Sequence, residues 1–114
     1  MIKILENVED YEKIIKEDKN VLVDFFATWC GPCRAMGRIM EEIENSVDVT
    51  FLKVDTDNFP EIAMKYAVMS IPTMIPFKNG EQIKIKHNSM EEEILLGAVD
   101  EVTFEEILHD TFNL

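Results

Sequence analysis

Val21-Leu22-Val23-Asp24-Phe25-Phe26-Ala27 runs directly into Thr28-Trp29-Cys30-Gly31-Pro32-Cys33, and this junction decides the fold. The first seven residues are almost all apolar and rich in β-formers, which predicts a strand buried on both faces. From Cys33 to Glu44 the apolar residues Met36, Ile39, Met40 and Ile43 recur at i, i+3, i+4 and i+7, which predicts a helix. A doubly covered strand feeding straight into a helix is a unit of layered α/β architecture.

Outward from this junction the chain continues the alternation. Ile2 to Leu5 is a short apolar run, after which Asn7 is placed to cap a helix carrying Val8, Tyr11, Ile14 and Ile15. Val47 to Val54 alternates and is β-branched, so it reads as a second strand. Asn58 and Pro60 mark the start of a helix with Ile62, Ala63, Tyr66 and Ala67. Thr73 to Lys78 is a strand ending in Asn79-Gly80, a strong hairpin signal, with Glu81 to Lys86 as the returning strand. Ser89-Met90-Glu91-Glu92 has capping-box spacing, and Ile94 to Val99 fits either a short helix or an edge strand. Asp100 and Thr103 compete to cap a final helix; Asp100 is preferred because it leaves Thr103 in the first turn. The order predicts a mixed sheet with helices on both faces, and residues 1–114 form one domain without repeats or linkers.

Composition narrows the function. Lys plus Arg is 11 and Asp plus Glu is 23, a net charge of −12, which argues against nucleic acid or an anionic membrane as partner. Two cysteines are too few for a disulfide framework or a Cys₄ zinc site, and 114 residues can bury a core without staples. The acidic first twenty residues resemble no secretory signal, so the expected location is cytoplasmic, where a close Cys pair points to redox chemistry or a metal. His87 and His109 match no metal spacing, so no metal is expected.

The pair Cys30 and Cys33 sits where the strand ends and the helix begins. Residues three apart on a helix have Cβ atoms about 5–6 Å apart, so a small adjustment of the first turn would close a disulfide. Gly31 permits that adjustment, and Pro32 is tolerated there because its missing N–H would have no helical partner. Free N–H groups and the helix dipole favour a thiolate on Cys30, with Arg34 adding positive charge. Cys33, one turn deeper, is expected to be more buried and less acidic. Asp24, inside the apolar strand, is expected to have a raised pKa and to take the proton from Cys33 through a water.

The run Val23 to Cys33 resembles the active-site region of the thioredoxin family. Ile71-Pro72-Thr73 is similar to its cis-proline loop, Phe77-Lys78-Asn79-Gly80 to its hairpin turn, and Gly97-Ala98 to a glycine beside its substrate groove. The resemblance implies the thioredoxin fold, a central mixed sheet of about five strands flanked by about four helices. It implies a protein-disulfide reductase in which Cys30 attacks a client disulfide and Cys33 resolves the mixed disulfide. Trp29, Gly31 and Pro32 would form the active-site loop, and Ile71, cis-Pro72 and Gly97 would receive the client. It further implies a monomer with no bound cofactor, re-reduced by an NADPH-dependent flavoprotein, thioredoxin reductase. Rival readings are an oxidase or isomerase on the same fold, and a binding subunit that never turns over. Gly31-Pro32 argues against the first, and the intact cysteines and Asp24 against the second.

The chain departs from the family pattern in four places. Arg38 replaces a helix proline, leaving any kink to Gly37, and Pro76 interrupts a strand, where a bulge is expected. Phe51 stands where some members place a lysine near the buried acid, which would raise the Asp24 pKa further. The stretch from Gly80 to Gly97 is longer than usual, with an enlarged segment around 87–93. Met36, Met40, Met64 and Met74 have core-like spacing, whereas Met69 is expected to face clients. Eight acids and no Lys or Arg follow Lys86, an acidic end expected to be solvated and to steer basic partners.

Overall fold

The computed structural model describes all 114 residues, Met1–Leu114. The first half runs β1 (Ile2–Ile4), α1 (Asp10–Glu17), β2 (Asn20–Phe26), α2 (Gly31–Ile43), β3 (Thr50–Asp55) and α3 (Pro60–Lys65). The second runs β4 (Thr73–Lys78), β5 (Glu81–Gln82), β6 (Ile85–His87), β7 (Met90–Glu92), β8 (Leu95–Leu96) and α4 (Glu101–Phe112). The main sheet has the order β1-β3-β2-β4-β5, with β8 also pairing with β4. β3 is parallel to β1 and β2, while β4 is antiparallel to β2.

Strand alternation sorts the core into two layers. Val21, Val23 and Phe25 pack with Tyr11 and Ile15 of α1 and Ile62 and Ala63 of α3. Leu22, on the opposite face, packs with Met36 and Met40 of α2 and Phe104 and Leu108 of α4. Asp24 shares the parity of Leu22, so the period of two sends its carboxylate to the α2 face, beneath the helix that carries the cysteines.

Several local expectations change. The N-cap of α1 is Glu9, not Asn7; Asn7 instead holds the preceding turn through its carbonyl, which accepts from Asp10 N at 3.1 Å. β3 begins at Thr50, so Val47 to Val49 only leads into it. Met36, Met40 and Met74 are buried, but Met64 projects outward with 78% exposure. α2 runs uninterrupted through Gly37 and Arg38.

Pro76 produces no bulge: the register from Asn20↔Lys78 to Phe25↔Thr73 is unbroken, with Leu22 opposite Pro76. The Pro76 carbonyl accepts from Ile83 N at 3.0 Å, on the β5 side. In a strand, N and C=O of one residue point the same way, so the missing N–H faces β5 and the β2 ladder loses nothing. On the β5 side the loss counts. Pairing with β4 ends at Gln82, so the expected strand from Glu81 to Lys86 is cut short.

The chain then turns away. β6 pairs with β7 in a separate hairpin through Asn88 and Ser89, both at positive φ. It is tied to α4 by Lys86 N donating to Thr111 Oγ1 at 2.9 Å. Of the two readings for residues 94–99, the edge strand is the observed one, as β8. Asp100 caps α4, its carboxylate accepting from Thr103 N at 2.8 Å.

Candidate active site

The loop after β2 delivers Cys30 to the N-cap of α2, where its extended backbone (φ −89°, ψ 112°) lets Sγ accept from Cys33 N at 3.1 Å. That N–H is one of the unpaired donors at a helix start, and it points at the sulfur that must carry negative charge when reduced. Arg34 Nη1 donates to Thr28 O at 3.0 Å, keeping the guanidinium against the same loop. Cys30 and Cys33 are joined as a disulfide, with Cα atoms 5.2 Å apart.

Burial separates the two cysteines less than expected, at 5% and 2% exposure. What separates them is the space each one faces. Cys30 lines a groove of about 550 Å³ with Trp29, Pro32, Met69 and Ile71. Cys33 lines a different cavity of about 430 Å³ with Phe26, Arg38, Glu41 and Lys53.

Lys53 corrects the expectation built on Phe51. In the parallel register Lys53 is the direct partner of Asp24, while Phe51 opposes Leu22 and stacks on Phe104 at 5.9 Å. Lys53 Nζ donates to Asp24 Oδ2 at 3.1 Å and lies 4.4 Å from the Phe26 ring centroid. Asp24 is fully buried, and its Oδ1 has no hydrogen-bond partner. Burial pushes its pKa upward, and the Lys53 ammonium offsets this only in part.

The Ile71–Pro72 peptide bond is cis. Ile71 packs against the Ala27, Cys30 and Cys33 cluster. The Pro72 carbonyl accepts from Gly97 N at 2.9 Å, and Thr73 Oγ1 donates to Ser70 O at 2.6 Å. Gly97 adopts φ +80°, a left-handed conformation that suits glycine. Trp29, Cys30, Gly31, Pro32 and Ile71 therefore meet at one groove, with Pro72 and Gly97 in the adjoining turn and Asp24 beneath. Sequence reasoning missed Lys53 and Asp57. Asp57 Oδ2 accepts from Trp29 Nε1 at 3.0 Å, and nothing local marks that contact. Lys53 had a signal: it is the only basic residue in its predicted strand, and it lies at even spacing from the core residue Phe51. No group of three or more His, Cys, Asp or Glu is arranged to hold a metal ion.

A Cys-x-x-Cys disulfide at a helix N-terminus, faced by a cis-proline loop on a mixed sheet, defines a dithiol–disulfide redox protein. The Thioredoxin family model matches residues 2–101, and the chain belongs to the thioredoxin family. It is 44% identical over 85 residues to Thioredoxin-1 of Schizosaccharomyces pombe, covering 74% of this chain and 82% of that one. A mutant thioredoxin from Halobacterium salinarum superposes with a TM-score of 0.83 at 26% identity, covering 99% of this chain and 92% of that one. A structure concerning the thiol-resolving mechanism of yeast mitochondrial 1-Cys peroxiredoxin via glutathione/thioredoxin systems gives 0.74 at 30% identity, covering 94% and 92%. The fold is the thioredoxin fold, and the chain is a thiol-disulfide oxidoreductase that reduces client disulfides through Cys30 and Cys33.

Proposed function

We propose that the two cysteines divide the reaction by the cavity each one faces. The reduced Cys30 thiolate attacks one sulfur of a client disulfide, forming a Cys30–client bond and releasing the other client sulfur as a thiolate. Cys33 then gives up its proton and attacks Cys30 Sγ, so the Cys30–Cys33 bond forms and the second client thiolate leaves. Two electrons pass from the dithiol to the client. Asp24 receives the Cys33 proton through water in the cavity that Cys33 shares with Lys53. Ile71, Pro72 and Gly97 hold an extended client segment across the groove, in the manner of strand addition. Trp29, Gly31 and Pro32 shape its other wall.

The observation that carries this division is the separation of the linings: Cys30 lines only the groove and Cys33 only the Lys53 cavity. Catalysis takes place in the cytoplasm as a single-domain monomer, and a thioredoxin reductase, an NADPH-dependent flavoprotein, restores the dithiol. No helix is long and apolar enough to cross a membrane. Insulin reduction with dithiothreitol tests the roles. Cys30→Ser is expected to abolish turnover, and pre-reduced Cys33→Ser, freed of dithiothreitol before mixing with insulin, to accumulate a mixed disulfide visible by intact mass. A trapped adduct on Cys33 in the Cys30→Ser protein would reverse the assignment.

A further inference from the structure

The chain is 30% charged, yet none of the ten residues lining the Cys30 groove is Asp, Glu, Lys, Arg or His. At the rim of this groove Met69 is 93% exposed, more than any other large hydrophobic side chain, and Trp29 on the same groove is 69% exposed. An exposed thioether and an exposed indole bordering one charge-free groove form an apolar surface in an otherwise strongly acidic protein.

The backbone that carries Met69 is fixed while its side chain is free. Val68 N donates to Ala63 O at 3.0 Å, Thr73 Oγ1 to Ser70 O at 2.6 Å, and Gly97 N to Pro72 O at 2.9 Å. Methionine has three rotatable bonds and a polarizable sulfur, so it can shape itself to differing apolar neighbours. A charged client side chain beside Met69 would lose hydration and meet no charged lining residue, since Arg34 and Asp57 stand outside the lining, bonded to Thr28 and Trp29.

We propose that Met69 is a specificity-determining residue, favouring client disulfides whose attacked cysteine is flanked by an apolar side chain. The inference rests on Cys30 being the attacking sulfur in that groove. It names the chemistry of the preferred client: an extended segment, apolar beside the cysteine, with its charges held outside the groove.

Two synthetic peptides, each closed by one disulfide and differing only in Leu or Glu beside the attacked cysteine, test it. The kcat/KM of their reduction is measured for wild type, Met69→Leu and Met69→Lys with dithiothreitol as reductant. Wild type and Met69→Leu are expected to prefer the Leu peptide by about tenfold, the scale of discrimination that apolar contact provides. Met69→Lys is expected to erase or reverse that preference, through faster reduction of the Glu peptide. Urea midpoints of the three proteins should coincide, because residue 69 makes no buried contact. A Leu:Glu ratio that is the same in all three proteins overturns the proposal. Reduction of neither peptide by wild type overturns both the proposal and the client reading beneath it.

Discussion

Lys53 Nζ stands 3.1 Å from Asp24 Oδ2, and the two residues are direct partners in the β2–β3 register. One carboxylate oxygen is thereby committed to the lysine, and the other, Oδ1, is left buried without a partner. A carboxyl held in this way, half neutralised and half unsatisfied, is suited to exchanging a proton with water near Cys33.

Replacing Asp24 by Asn keeps the shape and removes the base. Resolution of the mixed disulfide is expected to slow by about a hundredfold, the lower range for loss of a general base, while the first attack by Cys30 is largely retained. Rapid-mixing kinetics with a client disulfide separates the two steps. Equal slowing of both would remove Asp24 from the proton path.

Lys53→Met is expected to act on the same step through its pH dependence. The ammonium favours the charged carboxylate, so its loss raises the Asp24 pKa further. A larger fraction of Asp24 is then protonated at any given pH, and the resolution rate should rise only at higher pH than in wild type. A pH–rate profile of resolution that does not move would separate Lys53 from Asp24 function.

Stability should carry the opposite sign. The folded Asp24 pKa lies above the ordinary carboxylate value of about 3.9, so between the two values the native state keeps a proton that the unfolded chain has lost. Stability therefore falls as pH rises through the raised value. Asp24→Asn escapes that loss and should melt at a higher temperature than wild type at neutral and alkaline pH. The gap should shrink as pH falls toward about 4. Paired melting curves across pH check this, and a constant gap would contradict it.

Gly97→Ala separates backbone strain from steric contact. A Cβ at residue 97 would meet nothing within 4 Å, so only the positive φ of +80° opposes it. Forcing a side chain into that conformation should lower unfolding free energy by about 1–2 kcal/mol and loosen the bond to Pro72. Gly80→Ala, with φ +83° in the β4–β5 turn, should lose comparable stability. Only the Gly97 variant should raise KM for clients. Urea titrations and client kinetics on both variants provide the comparison.

Most of the site was legible because its signals are local in the chain. Cys30, Gly31, Pro32 and Cys33 announce a helix start with a bridgeable pair. Asp24 stands out as a lone acid within an apolar strand. Asp100 caps α4 as its spacing predicts. The errors lie where a residue's role depends on strands distant in sequence. Pro76 reads as a defect in a strand, yet its nitrogen faces β5, and the same orientation explains why that strand stops at Gln82. Met64 has core-like spacing, but its helix is six residues long and turns it to solvent.

By itself the sequence determined the alternation of strands and helices, the cysteine pair at a helix N-cap and the buried acid, since each follows from spacing and residue type within one element. Tertiary structure alone decided that Lys53 rather than Phe51 meets Asp24, that Asp57 holds Trp29, and that Gly97 is bonded to Pro72. These contacts join residues 25 to 29 positions apart, and their distances depend on register and loop path, which no local pattern encodes. The division of the two sulfurs between two cavities belongs to the same level, because a cavity exists only once several elements have packed around it.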